Sequence, residues 1–130
     1  MSVSVQEMDF DVSVEIDALT RGETGIGAVA TFSGKVRGEA HGSQLQSMTL
    51  EHYPGMTEAE LAAIEQEAVQ RFQLSASRVV HRIGPLKPGD NIVLVITCAA
   101  HRADAFAGCE FLMDYLKTRA PFWKKETGVT

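Results

Sequence analysis

Four of the chain's twelve lysines and arginines fall close together near its C-terminal end: Lys117, Arg119, Lys124 and Lys125. The segment Asp114 to Glu126 (DYLKTRAPFWKKE) sets Lys117 and Lys124 on either side of Pro121, with the only tryptophan, Trp123, between them. Clustered ammonium groups disfavour one another's protonation, and burial beside Phe122 and Trp123 would add desolvation; both effects lower a lysine pKa. A lysine tuned in that way serves as a general base or a nucleophile. Cations in the last turn of a helix also complement its dipole, with no function required. The residues alone leave both readings open.

Two further groups could hold an anion. His101 and Arg102 follow the apolar run that ends at Cys98, where a helix start would present free backbone N–H groups. Lys35 and Arg37 lie in a glycine-flanked stretch after another apolar run, and loops at strand ends often carry ligand groups. His52 and His81 sit inside strand patterns and read as hydrogen-bonded structural residues. The methionines read as core filler. Cys98 and Cys109 form no CxxC and have no zinc spacing with a histidine, so they read as buried thiols and no metal is expected. No glycine-rich phosphate loop, serine elbow or HExxH is present. Any chemistry here uses cations.

The elements that must position these groups are legible from periodicity. Val3 and Val5 suggest a first strand. Ser13 could cap a short helix bearing Val14, Ile16 and Leu19 that ends at Arg21-Gly22. Residues 26–33 (IGAVATFS) predict a buried strand, and the glycine-punctuated stretch from Gly34 to Gly42 a loop. Residues 47–53 predict a strand with Met48, Leu50 and His52 on one face, stopped by Pro54-Gly55. Thr57 and Glu60 make a capping-box pattern for a helix with Leu61, Ile64, Ala68 and Phe72 on one stripe. Arg78 to Ile83 and Asn91 to Cys98 predict strands joined through the Pro88-Gly89-Asp90 turn. A last helix runs from about Ala103 to Leu116, its stripe being Ala105, Cys109, Leu112 and Leu116, and Ala120-Pro121 limits it. Strands interspersed with about three helices, without clean βαβ units, predict an α+β domain with a mixed or mainly antiparallel sheet.

The bulk numbers agree with one domain over residues 1–130. The net charge of -5 argues against a nucleic-acid or anionic-membrane binder, because both need a basic face. Six acids against Arg21 in the first thirty residues sharpen the contrast with the basic C-terminal cluster. That contrast suits a small anionic ligand or an acidic partner tail. No secretory h-region and no apolar stretch near twenty residues is present, so a cytoplasmic protein is expected.

Several segments together resemble one family. They are GAVATFSGKVR (27–37), LEHYPGMT (50–57), VHRIG (80–84) with PGD (88–90), AHR (100–102) and the run from Met113 to Glu126. Their order and spacing are similar to those of the molybdopterin synthase large, catalytic subunit. The resemblance implies an α/β hammerhead fold with an additional antiparallel β-sheet. It implies a sulfurtransferase of molybdenum cofactor biosynthesis. Its small ubiquitin-like partner subunit, ending in Gly-Gly, carries the sulfur as a C-terminal thiocarboxylate. The acceptor is cyclic pyranopterin monophosphate, which becomes the dithiolene of molybdopterin, and no resident cofactor is implied. A homodimer of this chain within a heterotetramer is implied too. Lys117 matches the family's principal catalytic lysine and Lys124 its second. Lys35, Val36, Arg37, His101, Arg102, Lys125 and Glu126 match substrate-binding positions, some reaching the pocket from the other protomer. The rival expectation is a non-catalytic module that binds the pterin phosphate or the small subunit; the presence of both Lys117 and Lys124 speaks against it.

Overall fold

The computed structural model describes residues 2–40 and 43–129, with side chains described for 2–39 and 47–124. Its elements are β1 (Val3–Gln6), α1 (Val12–Thr20), β2 (Ala28–Lys35), β3 (Glu39–Ala40), β4 (Ser43–His52), α2 (Met56–Phe72), β5 (Ala76–Arg82), β6 (Gly84–Leu86), β7 (Asn91–Ala99), α3 (Arg102–Thr118) and β8 (Phe122–Val129). They build two sheets. The first has the order β1-β5-β7-β2 and is mixed: β1 runs parallel to β5, and the other pairs are antiparallel. The second is antiparallel, with β4 at its centre, β8 along one edge, and β6 and β3 along the other.

The first sheet is covered on both faces, and β7 shows why. A strand alternates its side chains, and here both sets are apolar. Val95 and Ala99 join Ala105, Cys109 and Leu112 of α3 and Ala68 of α2 in one core. Leu94, Ile96 and Cys98 pack the other way with Phe10, Ile16 and Leu19 around α1. A third cluster, Val36, Met48, Leu50 and Leu86 with Ile92, ties the second sheet to the first. Cys98 and Cys109 are buried free thiols as expected, and burial pushes both thiol pKa values up. The architecture is the expected α+β one with an additional antiparallel sheet.

The helix starts differ from the sequence reading. Asp11, not Ser13, caps α1: its carboxylate accepts the Val14 N–H at 3.2 Å, which leaves Ser13 inside the first turn. The second helix opens at Gly55, whose φ of 85° turns the chain sharply, and Glu58 accepts the Gly55 N–H at 2.9 Å. The expected Thr57–Glu60 box therefore does not form. Thr57 is fully buried instead. Its hydroxyl accepts the Tyr53 N–H at 3.0 Å and donates to the Pro121 carbonyl at 3.2 Å, fastening the start of α2 to the start of β8. The predicted loop from Gly34 also shrinks, because β2 continues to Lys35 against Asn91 and Glu39–Ala40 form β3. Two of the methionines are surface residues rather than filler, Met8 and Met56 being exposed.

Candidate active site

Pro121 ends α3 and redirects the chain into β8, and that reversal builds the site. β8 pairs antiparallel with β4, setting Phe122 opposite His52, Trp123 opposite Glu51 and Lys124 opposite Leu50. The outcome is a cleft of about 260 Å³ between the sheets and the end of α3. Met48, Leu50 and Ile92 give it apolar walls continuous with the third core cluster. Leu116 closes it from the helix, and Phe122, Trp123, Lys124 and His81 complete the lining.

Each aromatic group here is held. The ring of His81 stacks on Phe122 with centroids 3.8 Å apart and planes 13° from parallel, and His52 stacks on Phe122 more distantly at 6.4 Å. Trp123 donates its indole N–H to Glu51 at 2.6 Å and packs on Tyr53 at 4.7 Å. His81 is 8% exposed, and its Nδ1 lies 2.8 Å from the Arg82 carbonyl oxygen. Burial holds its pKa down at about 4; the Arg82 carbonyl works the other way and His52 adds to the depression. The imidazole is therefore neutral at physiological pH.

Of the two lysines singled out in the sequence, one lines this cleft and the other is a chain neighbour of a lining residue. Lys124 lines it directly, and Lys117 is the exposed residue next to Leu116 in the last turn of α3. Both ammonium groups are on the surface of the chain rather than buried beside Phe122 and Trp123. Arg119 lies with its guanidinium 5.2 Å from the Tyr115 ring centroid, which keeps it along the helix end as a rim cation. The backbone of Lys125 and Glu126 continues β8 opposite Thr49 and Met48; their side chains lie outside the described residues.

Lys35 sits at the same end of the first sheet as the cleft, because β2 places it opposite Asn91, the neighbour of Ile92. Its ammonium donates to Asn91 Oδ1 at 2.7 Å, and Asn91 Nδ2 donates to Asp9 at 2.9 Å. That hydrogen bond, with one from the Phe10 N–H, holds the Asp9 carboxyl below its usual range. Arg82 braces the loop by donating to the Glu7 carbonyl at 2.8 Å and the Asn91 carbonyl at 3.1 Å. No local sequence pattern announces this chain of contacts, since its members come from four separate segments. Arg37 is exposed just beyond β2. Val36, by contrast, is buried, and its N–H and carbonyl are both engaged, with Asp90 O at 2.9 Å and Gly89 N at 2.8 Å. Its contribution is to core packing between the sheets.

His101 and Arg102 are not brought to this cleft by their own chain. They stand at the N-terminus of α3, beyond the far end of β7, where Gly27 donates to the Ala99 carbonyl at 2.9 Å. Seventeen helical residues separate Arg102 from Thr118 inclusively, which is about 25 Å of rise. Among the described residues no cluster of His, Cys, Asp or Glu could hold a metal ion. None of the described helices is long and apolar enough to cross a membrane.

Fold and site together define a two-sheet α+β protein with an apolar cleft, lined by Lys124, at a proline-stopped helix end. The family model described as MoaE protein matches residues 5–119. A molybdopterin synthase catalytic subunit of Ralstonia nicotianae is 56% identical over 125 residues, covering 96% of this chain and 71% of that protein. The solved molybdopterin biosynthesis MoaE protein of Burkholderia ambifaria superposes with a TM-score of 0.86 at 50% identity, covering 99% of this chain and 87% of that one. A protein–protein complex of subunits 1 and 2 of molybdopterin-converting factor from Helicobacter pylori shares the fold, with a TM-score of 0.79 at 19% identity over 95% of this chain and 83% of that one. The chain belongs to the MoaE family.

Proposed function

We propose that this chain is the catalytic subunit of a molybdopterin synthase. It transfers sulfur from the C-terminal thiocarboxylate of a small ubiquitin-like subunit to cyclic pyranopterin monophosphate, giving the dithiolene of molybdopterin. The observation that supports this reading is Lys124 in the lining of an apolar cleft that Leu116, the neighbour of Lys117, closes from the last turn of α3. A tail ending in two glycines has no side chains to obstruct entry into such a cleft. Its thiocarboxylate brings a negative charge to two ammonium groups, and the apolar walls strengthen that attraction by excluding water. When the acyl carbon is attacked, negative charge builds on its oxygen, and an ammonium already in place stabilises it without reorganisation. Lys117 is the group proposed for that task, with Lys124 as the second cation.

The substrate phosphate calls for further cations. Lys35, steadied by Asn91, and Arg37 supply them at the same end of the molecule. His101 and Arg102 belong to the site of a second protomer, which accounts for their position at the remote end of α3 and makes the working unit a homodimer with a small subunit at each site. The Helicobacter pylori molecule is itself a complex of two different subunits, which supports a small-subunit partner. Sulfur arrives on the partner, so the reaction needs no resident cofactor, and a cytoplasmic setting suits both substrates.

The test is single-turnover conversion of cyclic pyranopterin monophosphate by this chain with thiocarboxylated small subunit, for wild type and Lys117→Ala. Product from wild type and loss of at least about a hundredfold in the variant is expected, the scale of removing one oxyanion donor. Complex formation without product from wild type would make the chain a binding module. Full turnover by Lys117→Ala would remove the lysine mechanism.

A further inference from the structure

The cleft poses a hydrogen-bonding problem. Its walls are mostly apolar, and its two strong side-chain donors are Lys124 and the Trp123 indole, the latter already given to Glu51. The lining holds a single strong side-chain acceptor. With Nδ1 2.8 Å from a carbonyl oxygen, His81 must carry its proton there, which leaves Nε2 a bare lone pair. Among the described residues Nε2 has no hydrogen-bond partner, yet no buried side-chain nitrogen is left unpartnered. Nε2 is therefore open to the cleft, and the stack on Phe122 fixes the plane in which its lone pair points.

We propose that His81 Nε2 accepts a hydrogen bond from a backbone N–H of the glycine tail that delivers the sulfur. This rests on the synthase reading above and adds a substrate-contacting residue to it. A peptide N–H drawn from water into an apolar cleft must find an acceptor or lose the hydrogen bond outright, and His81 is the one the lining provides. The pterin phosphate is the weaker candidate for this contact: it needs several cations, and Lys35 and Arg37 are not among the lining residues. A neutral ring suits the task, since a second cation beside Lys124 would donate rather than accept, and burial keeps His81 neutral down to about pH 4.

The experiment is a double-mutant cycle on the binding of the small subunit, with and without its two terminal glycines, to wild type, His81→Phe and His81→Gln. Phenylalanine keeps the stack on Phe122 and removes the acceptor; glutamine returns an acceptor near the Nε2 position. In wild type, deleting the glycines weakens binding, and His81→Phe should shrink that effect by about tenfold while His81→Gln restores most of it. Affinity for cyclic pyranopterin monophosphate should not move in either variant. An undiminished glycine effect in His81→Phe overturns the proposal, as does a loss confined to the pterin. Should His81→Phe not fold, the ¹⁵N resonance of Nε2 in wild type decides: it shifts on adding the intact partner but not the truncated one, or the proposal fails. If wild type binds neither partner nor pterin, the synthase reading itself is wrong, a result distinct from a bound tail that ignores His81.

Discussion

Arg102 and Lys117 stand at opposite ends of the same helix, separated by about 22 Å of helical rise. On the function proposed above both handle substrate, yet one chain cannot bring them to a single small molecule. In a two-fold dimer the same surfaces meet reciprocally, so each site can take Lys117 from one protomer and Arg102 from its partner.

Subunit mixing tests this directly. Lys117→Ala and Arg102→Ala should each be nearly inactive as pure dimers. Dissociated and reassociated as an equal mixture, they should recover roughly a quarter of wild-type activity, because half the dimers are mixed and each mixed dimer has one intact composite site. Sites built from a single protomer would recover nothing, since every site would then carry one of the two substitutions.

A second expectation concerns the junction that carries His101. At Gly27 an added Cβ would fall 2.2 Å from the Ala100 carbonyl oxygen, a backbone atom of the β7–α3 connection, whereas nothing lies within 4 Å of the same addition at Gly25. Gly27→Ala should therefore push β2 away from β7 and cost roughly 1–3 kcal/mol, in the range of overpacking. Gly25→Ala should stay within about 0.5 kcal/mol of wild type. Urea unfolding would show the difference as a lowered midpoint at constant slope for Gly27→Ala alone.

The contrast between these positions also shows what a sequence displays and what it conceals. β7 is apolar on both faces because both are covered, and such a run is visible without a structure. The stripe of Ala105, Cys109 and Leu112 on α3 and the proline stop at Pro121 were visible for the same reason. The strand after Pro121 was not, since residues 122–129 (FWKKETGV) show little alternation in the sequence, and the strand shows only in its pairing with β4. The helix caps shifted because Asp11 and Gly55 compete with Ser13 and Thr57 for the same role. Within the site, the lysines stood out by clustering. His81 looked like any histidine in a strand, because its stack on Phe122 and its place in the cleft depend on elements distant in sequence, and the Arg82 carbonyl that sets its tautomer is a backbone contact that no residue type announces.

The buried imidazole makes a final prediction about acid stability. In the unfolded chain His81 takes up a proton as pH falls below its ordinary 6.5, while in the folded chain burial delays protonation to about 4. Between those values the unfolded state binds more protons, so stability should fall as pH is lowered through that window and level off below it. Above 6.5 this group has no effect. The full loss is on the order of 3 kcal/mol, because each tenfold change in proton affinity is worth about 1.4 kcal/mol. Asp9 acts lower down: its depressed carboxyl contributes above the ordinary value of 3.8 and is lost as pH falls through its folded-state pKa. His81→Phe keeps the ring contact with Phe122 but cannot titrate, so its unfolding free energy should be flatter than wild type's between 4 and 6.5. Urea denaturation of both proteins across that range makes the comparison. Parallel curves would mean that another group sets the acid response and that the folded chain does not hold His81 neutral.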